Sequence, residues 1–174
     1  EKDAQSGQEG INLMTAGGLE VHDGMTAPGN SWALLQASGT GKNAAVKNTS
    51  SDSTTLTRTG NGSIKIYLKG TAAADADGKR RMGMYQEVNL KAGVTYTFSA
   101  YVNTKNVTEY VDGGGLYVAF LSSSGTMLSA SDRITAVTNA EIDNGWQRIY
   151  ATYTPAANGT YRVAAIQENA YLYG

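Results

Sequence analysis

The side chains able to break or make bonds in this chain are few in kind. There is one histidine, His22, and no cysteine. That excludes thiol nucleophiles, disulfides, Cys-ligated zinc and iron–sulfur centres, and it leaves a single base for any Ser–His pair. His22 lies in the polar loop sequence Glu20-Val21-His22-Asp23-Gly24, and no G-x-S-x-G elbow presents a serine to it. Carboxylates are more plentiful: Asp75 with Asp77, Glu87, Asp132, and Glu141 with Asp143. Glycoside hydrolysis needs two of them facing each other across a cleft, and spacing along the chain does not set these opposite one another. Gly113-Gly114-Gly115 runs into a strand rather than a helix, so it reads as a flexible connection, not a phosphate loop. Gly41-Lys42 has Gln36 and Asn43 where a phosphate loop needs Gly and Ser or Thr.

What remains is aromatic. The chain has 11 tyrosines, 2 tryptophans and 2 phenylalanines. Sugar rings stack their C–H faces on such side chains, and their hydroxyls bond to Asn, Gln, Arg and carboxylates. Period-two alternation sorts the tyrosines. With Tyr96 and Phe98 in a core, Tyr101 and Asn103 face outward. With Phe120 in the core, Tyr117 faces outward. With Ile149 and Tyr153 in the core, Arg148 and Tyr150 face outward. Tyr67 and Tyr85 share this pattern.

The elements that carry these residues read as strands. Ser63 to Lys69, Tyr85 to Leu90, Thr95 to Asn103, Leu116 to Leu121, Gln147 to Thr154, Tyr161 to Gln167 and Ala170 to Tyr173 all show strand patterns. Asn158-Gly159 marks a hairpin. Residues 26–62 read as loops with short strands near Trp32 to Leu35 and Ser53 to Thr57. Helix signals stop at one turn near Thr71 to Ala76. Many short strands separated by turns predict an all-β sandwich or jelly roll. A length of 174 residues suits one domain, residues 11–174, with residues 1–10 reading as a linker. Fourteen basic against 15 acidic groups argue against a nucleic-acid partner, and no apolar run is long enough for membrane insertion.

Three segments together resemble the carbohydrate-binding modules of the galactose-binding-like jelly-roll superfamily. Asn12-Leu13-Met14-Thr15-Ala16-Gly17-Gly18-Leu19-Glu20 is similar to its opening strand, with Trp32 following. Residues 85–102, YQEVNLKAGVTYTFSAYV, resemble its most recognisable stretch. Residues 145–155, GWQRIYATYTP, resemble its G-W-Q segment. Their order and spacing fit, and they bracket nearly the whole chain. The resemblance implies a jelly roll of two antiparallel sheets. It implies an extracellular or cell-surface setting within a larger multidomain chain, as in bacterial surface proteins with YD-type repeats, phage tail proteins and glycoside hydrolases. It also implies a structural calcium. Glu20 matches the opening-strand ligand, while residues 58–62 carry no acid and Tyr173 stands where an Asp would be, so the expected calcium site is a weak one, Glu20 with backbone carbonyls.

The expectation is therefore a non-catalytic module that binds a poly- or oligosaccharide and requires no cofactor. On the concave sheet of such relatives, the matching positions are Tyr85, Tyr101 and Tyr117, with Glu87, Asn103 and Arg148 as polar partners. In relatives that bind at the sandwich edge, Trp32, His22 and Tyr110 take that place. The alternative is a structural or adhesion spacer whose outward tyrosines are covered by neighbouring domains.

Overall fold

The computed structural model describes residue 14 and residues 32–35, 42–48, 58, 62–68, 74–104, 107–135 and 145–172; for 42–48, 62, 67, 108 and 170–172 it describes the backbone alone. These residues form nine strands: β1 (Ala33–Leu35), β2 (Lys42–Asn48), β3 (Gly62–Leu68), β4 (Arg81–Leu90), β5 (Tyr96–Val102), β6 (Val107–Ser122), β7 (Met127–Ala130), β8 (Gln147–Tyr153) and β9 (Gly159–Leu172). No α-helix occurs among the described residues.

The strands pair antiparallel into a five-stranded sheet, ordered β1-β4-β9-β6-β7, and two two-stranded sheets, β2-β3 and β5-β8. Alternation explains what binds them together. Val88 and Leu90 of β4, Val118 and Phe120 of β6 and Val163 of β9 point to one face and meet Phe98 of β5 and Ala151 of β8. Further along the same face, Met82 and Met84 meet Leu68 of β3, with Ile64, Ile66, Leu34 and Trp32 around them. Burying these side chains removes apolar surface from water, worth about 1.5–3 kcal/mol for each large residue. The result is an all-β sandwich, as the strand patterns predict.

Much of the second face of the five-stranded sheet is buried as well, though Glu87, Asn89 and Thr160 at one end of it are exposed. Tyr117, Ala119 and Leu121 of β6 lie there with Ala164 and Ile166 of β9, flanked by Leu35 and Tyr85. This is why β6 and β9 carry unbroken apolar runs, Leu116 to Leu121 and Val163 to Ile166, where β5 alternates cleanly. Tyr117 does point away from Phe120, as alternation requires. It is nevertheless fully buried, which corrects the expectation that it faces outward.

Several boundaries differ from the sequence reading. β2 forms inside a stretch read as loop, and β7 follows the Ser122–Gly125 turn. The short strand expected at Ser53 to Thr57 lies outside the described residues, as does residue 1–10. The two final strands are one, β9, because Asn169 takes a positive φ of 49° without ending the pairing. The Gly113–Gly115 run is not a connection before a strand. It is a bulge inside β6, where the register against β9 shifts between Tyr110 and Gly115.

The core placement of Phe120 is tested by Phe120→Ala, which is expected to lower unfolding free energy by about 3–5 kcal/mol in denaturant titration. An unchanged midpoint would contradict the packing described.

Candidate functional site

The strongest electrostatic feature sits near the end of β9. Glu168 has no exposed surface. Its Oε2 accepts from Arg81 Nε at 2.8 Å and from the Tyr117 hydroxyl at 2.9 Å. Its Oε1 accepts from Arg133 Nη1 at 2.8 Å and from Lys79 Nζ at 3.4 Å. Arg81 also reaches Asp77 at 2.7 Å and Asp75 at 3.6 Å, so three cations stand against three carboxylates. Burial pushes the Glu168 carboxyl up, but hydrogen bonds from Arg81, Arg133 and Tyr117 outweigh it, and its pKa falls to about 2. Burial and the neighbouring Glu168 charge push the Tyr117 phenol up to about 12.

The glycine run makes this cluster fit. Asp112 and Gly113 take positive φ at the bulge, 51° and 69°. A Cβ on Gly115 would come 2.9 Å from Arg133 Cβ and 2.8 Å from the Ile134 carbonyl oxygen. Without one, residues 131–135 lie close on β6, where Leu116 and Ile134 exchange backbone bonds of 2.9 Å, and Arg133 lies over the Tyr117 ring at 4.3 Å. A carboxylate so saturated with donors is a structural tie, not a general acid.

The predicted binding residues do not converge. Tyr85 and Glu87 lie on the second face of the five-stranded sheet. There Arg162 stacks over Tyr85 at 4.3 Å and approaches Glu87 at 3.6 Å. Tyr117 lies on that face too, buried under Arg133. Tyr101 and Arg148 lie instead on the outer face of β5–β8, on the opposite side of the sandwich, because their neighbours Phe98, Val102 and Ala151 point into the core. Asn103 is half-buried just past β5, close to Gly145. Trp32 is half-buried and packs against both parts of the core, so it serves packing rather than a loop-edge site. Tyr110 is half-buried, and its hydroxyl donates to Gln167 at 2.9 Å. Glu20 and His22 lie outside the described residues.

The outer face of β5–β8 is the candidate site. Its register pairs Thr97 with Thr152, Ser99 with Tyr150 and Tyr101 with Arg148, and all six are exposed. Tyr150 is 59% and Tyr101 46% exposed, the two most exposed large hydrophobic side chains among the described residues. They occupy one diagonal of the ladder, at roughly 7–8 Å by strand geometry. Arg148 and Ser99 occupy the other, joined by a bond from Arg148 Nη2 to Ser99 Oγ of 3.3 Å. Arg58 lies over the Tyr101 ring at 3.7 Å. Two apolar rings alternating with hydroxyls and a guanidinium form a flat surface able to stack a ring and hydrogen-bond its rim. Tyr150 reads as outward from alternation alone, yet the resemblance did not place it among the site residues.

Among the described residues no three His, Cys, Asp or Glu side chains gather as a metal site, and no helix is long and apolar enough to cross a membrane. In comparisons with known proteins, no family model and no curated sequence matches the chain.

Ionised Glu168 stabilises the fold above its ordinary pKa near 4.5, and that contribution is lost as pH falls from there toward about 2. Glu168→Gln is expected to cost about 3–5 kcal/mol at neutral pH, because it leaves arginines facing a neutral amide. It should also flatten the acid limb of stability between those two pH values, read by urea unfolding at stepped pH. An acid limb identical to the parent's would contradict the assignment.

Proposed function

We propose that the chain is a non-catalytic carbohydrate-binding module of the galactose-binding-like jelly-roll type, working outside the cell as part of a larger protein. The observation that carries this reading is the exposed Tyr101–Tyr150 diagonal on β5–β8, with Arg148 and Ser99 on the crossing diagonal. Stacking and hydrogen bonding on such a platform need no bond to break. The non-catalytic reading is supported by the carboxylates too. Asp77 and Glu168 both accept from Arg81, which holds their carboxyls below the ordinary carboxylate range and leaves neither poised as a proton donor.

A second reading, a structural or adhesion spacer, is favoured by one specific observation. Tyr85, Tyr101 and Tyr117, the three tyrosines first assigned to stacking, each carry an arginine over the ring. On the spacer reading these pairs tie the surface together and no sugar is taken.

Substitution separates the two. Tyr150→Ala and Tyr101→Ala are each expected to weaken glycan binding about tenfold in calorimetry, the loss of one ring stack. Both side chains are exposed, so melting temperature should stay within about a degree or two of the parent. A broad glycan panel, neutral and acidic, that shows no binding to the parent protein would leave the spacer reading.

A further inference from the structure

Among the described residues the charge on the β5–β8 face is one-sided. The outward positions of the two strands are Thr97, Ser99 and Tyr101 on β5 and Arg148, Tyr150 and Thr152 on β8, with no carboxylate among them. Arg81, Arg133 and Arg162 each face a carboxylate elsewhere in the molecule. Arg148 does not: among the described residues its one polar partner is the Ser99 hydroxyl at 3.3 Å, and no carboxylate lies within 4 Å. The chain as a whole carries a formal charge of −1, so general basicity does not account for it.

A neutral sugar is held by stacking and hydroxyl contacts alone. A guanidinium presents a planar fork of donors that matches a carboxylate with two parallel bonds, and such charge-assisted bonds are roughly twice as strong as neutral ones. We infer that the ligand of this face is a hexuronate-bearing glycan. A uronate ring stacks on Tyr150 or Tyr101, its carboxylate meets Arg148, and the Thr97, Ser99 and Thr152 hydroxyls take ring oxygens. Arg148 occupies the ladder position directly beside Tyr101, so ring and carboxylate are met by neighbouring side chains. This inference rests on the glycan-binding reading and adds the ligand's charge to it.

The test uses the whole chain against polygalacturonate, alginate and hyaluronan. Each is paired with its carboxyl-reduced neutral form, and polyglutamate serves as a polyanion without sugar rings. At least one uronate polymer is expected to bind about tenfold more tightly than its reduced form, with polyglutamate weaker than either. Arg148→Gln should bring the uronate polymer down to the affinity of the reduced one, and Arg148→Lys should restore part of the difference. Equal binding of native and reduced polymers would overturn the uronate assignment and leave a sugar site standing. Polyglutamate binding as tightly as the uronates would overturn it in favour of a plain cationic patch. Binding to none of the uronate polymers would also overturn it, and a bound neutral glycan would then show that the broader reading survives alone.

Discussion

A carboxylate without exposed surface, on a strand covered on both faces, stays ionised only while donors close around it. Glu168 meets that demand with groups from four places in the chain. Lys79 comes from the turn before β4, Arg81 from β4, Tyr117 from β6 and Arg133 from the segment after β7. Those partners bind the two neighbours of β9 in the five-stranded sheet and the segment beyond its edge to one central point. The bulge in β6 and the bare backbone of Gly115 are the local means of bringing Arg133 within reach. Asn169 completes the corner: its side-chain oxygen accepts from Arg80 N–H at 2.9 Å, and its own N–H donates to the Arg80 carbonyl at 2.8 Å.

That constraint decides which surface is left for a ligand. Tyr117 turns its hydroxyl to Glu168 and its ring to Arg133, so it serves the tie rather than a sugar. Tyr85 is likewise engaged by Arg162, and between them Ala119 and Ala164 are fully buried. Around Tyr117 and Tyr85 the second face of the five-stranded sheet is thereby taken up by its own interactions, while Glu87 and Asn89 further along β4 stay exposed. The β5–β8 pair has the opposite character. Its inner side chains seal the core through Phe98 and Ala151, while its outer ones remain exposed and, at Arg148, without a countercharge among the described residues.

Much of the fold was legible in the sequence because one strand, β5, alternates without exception, and Tyr96, Phe98, Ala100 and Val102 turn inward as read. The same alternation placed Tyr101, Arg148 and Tyr150 outward. Period two assigns a face but does not say whether anything covers it, and so Tyr117 was misread. The signal that distinguishes it is the apolar run from Leu116 to Leu121, which marks burial on both sides. The glycine run misled for a related reason. Three consecutive glycines permit a loose connection, but they also permit close approach of a second segment, and only tertiary contact with Arg133 and Glu168 tells the two apart. Glu168 itself stood in an unremarkable sequence, Gln167-Glu168-Asn169, with nothing local to show that its partners lie more than 30 residues away.

The central claim is that ligand is met on the outer face of β5–β8. The most direct measurement is the backbone amide NMR spectrum of the chain titrated with a short oligogalacturonate. The account predicts saturable shifts concentrated at residues 97–101 and 148–152, with the amides around Tyr85, Glu87 and Arg162 on the opposite side unmoved. Shifts centred on Tyr85, Glu87 and Arg162, with β5 and β8 silent, would contradict it.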